Sequence, residues 1–65
     1  MYPNIEAERS RQGLTKEGLA NKLGISSRTY YNWQSGKSAI PSSKLIEMSK
    51  LFRVSIEYLL KEERK

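Results

Sequence analysis

A short stretch in the middle of the chain, residues 26–38, contains hydroxyls, amides, two basic residues and three large aromatic residues, but no acidic residue. On a helix, steps of three and four residues place Ser27, Arg28, Tyr31 and Asn32 on one face. A guanidinium group and a carboxamide can each make two parallel hydrogen bonds. That geometry matches guanine N7 and O6 for Arg28, and adenine N6 and N7 for Asn32. The shared face is therefore a candidate surface for reading base edges.

Ser27 and Tyr31 complete this candidate base-reading face. Ser27 is short enough to let the start of the helix approach a DNA groove, and the Tyr31 ring could pack on a thymine methyl group. The Tyr31 hydroxyl could instead reach a phosphate. For Arg28 and Asn32 the alternative is a solvated helix face that binds nothing, so the surrounding residues must decide between the two.

Three groups of polar residues flank this face, and each lies at a helix end or in a turn. Lysine side chains, hydroxyls and the backbone N–H groups of helix N-termini are common ligands of DNA phosphates. The groups are Thr15 and Lys16 before the face, Ser26 at its start, and Ser35, Lys37 and Ser38 at its end. Each group alone would be an ordinary cap or loop, but together, in a segment without acids, they favour double-stranded DNA as the partner.

The charge distribution also favours an anionic partner. The chain of 65 residues has a formal net charge of +5, and its seven acidic residues are all glutamates. None of them falls in residues 18–46, which carry Lys22, Arg28, Lys37 and Lys44. Because a basic block can also be an ordinary solvated surface, its meaning depends on the motifs inside it.

The sequence contains no cysteine and no histidine. Disulfides, thiolate nucleophiles, imidazole bases and the usual zinc ligands are thereby removed. We expect no catalytic residue, no metal site, no cofactor and no small-molecule ligand, and hence no enzyme. The longest apolar run is three residues, and the N-terminal segment lacks the apolar core of a signal peptide. We therefore expect no membrane association and a cytoplasmic protein.

Capping residues and glycines mark the two central helices most clearly. Thr15 is a good N-cap for one helix, and Gly24 suits the position after its end. Ser26 caps the next helix, at about residues 27–35, and Gly36 ends it. Only a few residues separate the two, which predicts a helix-turn-helix.

The first, fourth and fifth helices are predicted from helical spacing of apolar residues and from a proline or polar residue at each start. No stretch alternates for long enough to be a strand. The expected starts are Pro3 or Asn4 for a helix that runs to Arg11, Ser42 or Ser43 after Pro41, and Ser55. The sequence thus predicts one all-α domain over residues 1–65, with the helix-turn-helix at about 15–35 and a frayed tail at 61–65.

The side of the third helix opposite the candidate face is predicted to meet the core. Tyr30 and Trp33 are three residues apart and share their side with Ile25. Because aromatic residues at helical spacing are more often core than ligand platform, we expect both to pack against Leu19 and Leu23.

The run LTKEGLANKLGISSRTYYNWQSGKSAIP, followed by LIEMSKLFRVSIEYLL, resembles the phage-repressor, Cro-like (Xre-type) helix-turn-helix domains. The resemblance extends from Ile5 to Leu60, and it implies a bacterial or phage-encoded protein that is nucleoid-associated when bound to DNA. It implies a compact, lambda-repressor-like bundle of five short helices, of which the third lies in the major groove. It further implies roles for matching positions, which are Ser27, Arg28 and Asn32 for base reading, and Ser26, Ser35 and Lys37 for backbone contact. Lys16 stands where the family commonly has glutamine, and it keeps a phosphate role there.

Four residues depart from the pattern of that family. Gln34 replaces a common glutamate that often pairs with the arginine matching Arg9, so any bond here would join an amide to a guanidinium. Glu8 stands where leucine is usual, and Arg53 where glycine is usual. Gly18 interrupts the second helix, at a cost of about 1 kcal/mol relative to alanine.

These observations predict a sequence-specific DNA-binding transcriptional regulator. One recognition helix spans about half an operator, so we expect a homodimer on a pseudo-palindromic site. The last two helices carry more apolar residues than their inward sides need, and these could form either a dimer surface or part of a well-filled core. They are Ile46, Leu51, Ile56, Tyr58 and Leu60. The alternative function is a protein-interaction module, antitoxin-like or anti-repressor-like, on the same fold.

Overall fold

Local capping chemistry determines where the helices begin and end. The structure is a computed structural model that describes residues 2–62, and in that range it contains five α-helices and no strand. The helices are α1 (Pro3–Arg11), α2 (Lys16–Leu23), α3 (Ser27–Ser35), α4 (Ser42–Phe52) and α5 (Ile56–Leu60). The predicted all-α class and the five helices are therefore confirmed.

The predicted caps of α2, α3 and α5 are present. The hydroxyls of Thr15, Ser26 and Ser55 each accept a hydrogen bond from the backbone N–H three residues later, at 2.9, 3.1 and 3.1 Å. Gly24 and Gly36 follow α2 and α3 with φ of 70° and 84°. Glycine adopts this left-handed conformation without the steric cost that other residues incur, so both helices end where the sequence indicates.

The predicted cap of α4 is wrong. Neither Ser42 nor Ser43 caps the helix, because they are its first two residues. Pro41 occupies the N-cap position with an extended backbone. The Pro41 carbonyl accepts from the N–H groups of Lys44 and Leu45, at 3.0 and 3.1 Å. Because helical bonding begins at the Pro41 carbonyl, α4 starts earlier than the sequence indicates, and Ser42 and Ser43 lie in its first turn.

The core lies where the five helices converge. It contains residues from all of them, and Tyr30, Leu19, Met48 and Leu59 have no exposed surface. Trp33 is 2 % exposed. The predicted inward orientation of the two aromatic residues of α3 is confirmed, so one side of this helix is fixed by core packing.

Glu8, which stands where the family usually has leucine, is buried and joins α1 to α5. Its carboxylate accepts a hydrogen bond from the Tyr58 hydroxyl at 3.1 Å and lies 3.4 Å from the guanidinium of Arg11. The Asn4 amide donates to the Tyr58 carbonyl at 2.8 Å. The buried Glu8 carboxylate is tolerated because the Tyr58 hydroxyl and the Arg11 guanidinium satisfy it.

Gly18 lies in the first turn of α2 and donates its N–H to the cap hydroxyl of Thr15. A Cβ added at Gly18 would lie 3.1 Å from that hydroxyl oxygen. The expected cost of glycine relative to alanine omits this crowding, which offsets part of the gain that alanine would bring.

No helix in residues 2–62 is long and apolar enough to cross a membrane. Of the tail expected to fray, residues 61 and 62 follow α5 as exposed, non-helical chain, and residues 63–65 lie outside the described range.

The turn between α4 and α5 contains a strained backbone. Arg53 ends α4 with φ of 58°, and it is the one non-glycine residue with positive φ in the described range. The Ser49 hydroxyl donates to the Val54 carbonyl at 2.5 Å, and the Val54 N–H donates to the Ser49 carbonyl at 3.1 Å. These bonds hold the turn, although a left-handed conformation costs a non-glycine residue about 1–2 kcal/mol.

The substitution Arg53→Gly is expected to raise the free energy of unfolding by about 1 kcal/mol, because glycine relieves the strain and loses part of the gain to a more flexible unfolded chain. Denaturant unfolding followed by Trp33 fluorescence measures the change. Arg53→Ala is the matched control, since it removes the same side chain and keeps the strained conformation. Equal stabilisation by both variants would contradict the backbone explanation.

Candidate nucleic-acid interface

A bond from the first helix holds α3 from behind. The fully buried Tyr30 donates its hydroxyl hydrogen to Glu6 of α1, and its ring makes an edge-on contact with Trp33, with centroids 6.4 Å apart. The Tyr30 hydroxyl is thus held by a hydrogen bond, and the Tyr30 ring is held by packing against Trp33. The outward side chains of α3 therefore project from a rigid support.

The Glu6 carboxylate also receives Arg9. The guanidinium lies 2.8 Å from Glu6 and donates to the Leu14 carbonyl at 2.5 Å. The structure forms no bond between Gln34 and Arg9, the pair for which the sequence would allow only an amide-to-guanidinium bond. Gln34 instead binds the backbone of Tyr2, accepting from its N–H at 2.9 Å and donating to its carbonyl at 3.4 Å. Arg9 takes the carboxylate one turn earlier on its own helix, because an ion pair is stronger than a bond to an amide.

The candidate base-reading residues lie on the outward side of α3, with different exposure. Arg28 is exposed, and Tyr31 exposes 48 % of its surface. Ser27 and Asn32 are partly buried. Arg28 and Tyr31 are therefore the more accessible residues of this face, and Ser27 and Asn32 are the less accessible ones.

The two N-terminal flanking groups combine capping with exposure. Thr15 uses its oxygen to cap α2 and keeps its hydroxyl hydrogen available. Ser26 caps α3 and shares a second hydrogen bond with the Thr29 hydroxyl at 3.0 Å. The ammonium of Lys16 lies over the Tyr31 ring, 5.6 Å from its centroid. Thr29 was not singled out from the sequence, although its place three residues after a cap is a usable signal.

The C-terminal flanking group folds back on the end of α3. The Asn32 carbonyl accepts from the backbone N–H groups of Lys37 and Ser38, at 2.9 and 3.2 Å. It also accepts from the Ser35 hydroxyl at 3.2 Å. All three flanking side chains are exposed, so the turn presents a lysine and hydroxyls at a defined position.

One cation of the acid-free block is engaged elsewhere. The Lys44 ammonium donates to the Leu23 carbonyl at the end of α2, at 2.6 Å, and to Glu47 at 3.2 Å. Lysine near a helix C-terminus satisfies carbonyls that the helix leaves open. Lys44 therefore ties α4 to α2, a role that its charge alone does not reveal in the sequence.

Within residues 2–62, no group of three or more acidic side chains could hold a metal ion. The outward side of α3 offers hydrogen-bond donors and acceptors, a cation and an aromatic ring, which is chemistry suited to recognition.

Comparisons with known proteins agree with this geometry. Residues 5–59 match a family described as helix-turn-helix. Over 60 residues the chain is 35% identical to the uncharacterized HTH-type transcriptional regulator YqaE of Bacillus subtilis (strain 168). The aligned segment covers 92% of this chain and 52% of the relative. The chain is also 35% identical over 52 residues to the uncharacterized HTH-type transcriptional regulator YobD of the same organism, covering 80% and 46%. The chain spans about half the length of these curated relatives. No solved structure gave a significant match.

The charge of Glu6 determines how this support responds to pH. Burial alone would raise the pKa of the Glu6 carboxyl, but hydrogen bonds from Arg9 and Tyr30, with the charges of Arg9 and Lys16, outweigh it and hold the pKa below its ordinary value of 4.5. Burial and the bond to Glu6 raise the pKa of Tyr30 above its ordinary range. The phenol therefore remains a hydrogen-bond donor.

Acidification is expected to weaken the support of α3. A carboxyl whose pKa is lowered by folding stabilises the native state above its unfolded pKa, and that contribution is lost as the pH falls through the folded pKa. The free energy of unfolding should therefore fall below about pH 5, and Glu6→Gln should make this fall shallower while lowering stability at neutral pH. Denaturant unfolding between neutral pH and about pH 3 measures both effects.

Glu57→Gln is the matched control, because the Glu57 side chain is exposed and makes no ion pair or hydrogen bond with the part of the chain that the structure describes. An unchanged pH slope in Glu6→Gln would contradict the role given to Glu6.

Proposed function

The chain belongs to the helix-turn-helix family of Xre-type, Cro-like domains, and we propose that it binds double-stranded DNA sequence-specifically as a transcriptional regulator. The observation that carries this proposal is the two-sided α3. Its inner side is fixed by Tyr30 and Trp33, and its outer side presents polar groups to solvent. A rigid helix with a polar outer face fits the major groove of B-DNA.

Base reading is assigned to the outer face of α3. Arg28 is exposed and can reach guanine N7 and O6, and Asn32 lies one turn later with an amide suited to adenine. Ser27 lies at the first turn, where a short side chain permits close approach. Tyr31 supplies an aromatic surface for a thymine methyl group or a hydroxyl for a phosphate.

Phosphate contact is assigned to the flanking groups. Backbone N–H groups at the starts of α2 and α3 and nearby hydroxyls and lysines suit anionic oxygens. The residues proposed for it are Thr15, Lys16, Ser26, Ser35, Lys37 and Ser38. They lie on both sides of the base-reading face along the chain, so they would set the orientation of α3 in the groove.

We further propose that the protein acts as a homodimer on a pseudo-palindromic operator, in the cytoplasm where such DNA is found. Of the apolar residues considered for a dimer surface, Ile46 and Leu60 are 46 % and 39 % exposed. Leu51, Ile56 and Tyr58 pack against the core instead. The exposed residues of α4 and α5 are therefore the proposed contact, and the activity proposed is binding, without catalysis.

Selection of bound sites from a random duplex pool, followed by sequencing, tests the regulator hypothesis. One enriched, pseudo-palindromic sequence is expected, with affinity that falls steeply as salt is raised. Equally weak binding to selected and random duplexes would instead favour the protein-interaction module.

Substitutions on α3 and in its flanks should separate base reading from phosphate contact. Arg28→Ala and Asn32→Ala should each cost about 1–3 kcal/mol on the selected duplex and relax preference at one or two base pairs. Lys37→Ala should weaken selected and random duplexes alike and reduce the salt slope by about 1. Binding titrations at several salt concentrations measure these effects.

Lys22→Ala is the charge-matched control, because it removes an exposed lysine of α2 that belongs neither to the residues proposed for DNA contact nor to the proposed dimer contact. If all the α3 and flanking substitutions weakened both duplexes equally, the proposed base-reading face would be wrong.

The dimer proposal is tested on duplexes that carry one or two half-sites. Ile46→Glu should reduce the preference for two half-sites by about tenfold or more, because it places a charge in the proposed contact, and should leave binding to one half-site unchanged. Gln12→Glu adds the same charge at an exposed position of the loop after α1. Unchanged preference in Ile46→Glu would place the contact elsewhere.

A further inference from the structure

Lys16 and Tyr31 form a contact between α2 and the outward face of α3. The ammonium lies 5.6 Å from the ring centroid, within the distance at which a cation is attracted to the face of an aromatic ring. Lys16 is partly buried, whereas Tyr31, at 48 %, is the most exposed large apolar or aromatic residue within residues 2–62. The lysine is thus the more constrained partner of the pair.

Core packing alone does not fix the Tyr31 ring. On one side the ring meets the edge of Tyr30, with centroids 6.5 Å apart and planes at 70°. Elsewhere it borders an open groove of about 350 Å³, which is also lined by Pro3, Glu6, Lys16 and Gln34. On that side the ring borders open space, and the Lys16 ammonium is the charged group that lies over it.

The charge of Lys16 lies on the same side of the molecule as the carboxylate of Glu6. Lys16 and Glu6 line the same groove, and the charge of Lys16 contributes to the lowered pKa of Glu6. Glu6 is bound in turn by Arg9 and Tyr30. The Lys16 cation is therefore attracted both by the Glu6 charge and by the Tyr31 ring, without a direct ion pair to Glu6.

We propose that Lys16 is a positioning residue for base selection, which orients the Tyr31 ring on α3 and so alters sequence preference through that ring. This inference rests on the proposed DNA-binding function and adds to the phosphate role given to Lys16. A lysine that contacts phosphate alone contributes charge without regard to sequence. A lysine that orients Tyr31 affects the one or two base pairs that the ring meets.

The test is a double-mutant cycle on the full chain with Lys16→Met and Tyr31→Leu. Lys16→Met keeps the length of the side chain and removes its charge. Both single variants should change base preference at the same position, and the double variant should differ from additivity by roughly 2- to 5-fold in affinity for the selected duplex. Lys16→Arg, which keeps a cation over the ring, should restore the preference. Additive losses with unchanged base preference would overturn the inference.

A second measurement needs no DNA. In the free protein, Lys16→Met should shift the ring-proton resonances of Tyr31, and Lys16→Arg should shift them less. Lys22→Met is the control, since it removes a lysine of α2 that lies at the other end of that helix. Unchanged Tyr31 resonances in Lys16→Met would overturn the inference even if the protein binds its operator, whereas shifted resonances without an enriched operator would show that the proposed function has failed and the contact has not.

Discussion

The hydrogen bond from the buried Tyr30 hydroxyl to Glu6 is the contact on which the placement of α3 depends. Tyr30 is fully buried in the core, where an unpaired hydroxyl would be costly. Glu6 supplies the acceptor, and Arg9 compensates its charge while also binding the Leu14 carbonyl. One carboxylate thus joins α1, the segment before α2, and α3, and this junction gives the outer face of α3 its orientation.

Two adjacent tyrosines of α3 point in different directions, one into the core and one onto the surface proposed for recognition. Tyr30 points into the core, and Tyr31 stands next to it with half its surface in solvent. Successive helical residues differ in direction by about 100°, so neighbours of the same type can serve opposite purposes. The two rings lie edge to face, with centroids 6.5 Å apart.

Some cations of this small domain are bound within the fold and others are exposed, a difference that the net charge does not show. Arg9 and Lys44 are bound to backbone carbonyls and carboxylates within the fold. Arg28 and Lys37 are exposed beside the outer face of α3. Lys16 lies between these two groups, close to a ring of α3 and to the groove that Glu6 lines. The charge available to a polyanion is therefore less than the composition indicates.

The features predicted correctly from the sequence are those governed by neighbours along the chain. The caps Thr15 and Ser26, the left-handed Gly24 and Gly36 and the inward Tyr30 follow from local hydrogen bonding, backbone sterics and helical periodicity. The same reasoning failed at Ser42 and Ser43, because Pro41 occupies the N-cap position of α4 and both serines lie within the helix. Family pattern located Arg53 at a glycine position, and the backbone there is indeed left-handed.

The pairing of polar side chains was decided only by the tertiary structure. Tyr30 of α3 binds Glu6 of α1, Gln34 binds the backbone of Tyr2, and Lys44 binds the end of α2. Each of these partners is chosen among several that the sequence would allow, and the choice depends on which helices face each other and at what distance. The sequence by itself determined the helices and the two faces of α3, because both are local. The tertiary structure decided which charges remain free for a ligand, because a charge is withdrawn only when folding brings a partner within reach.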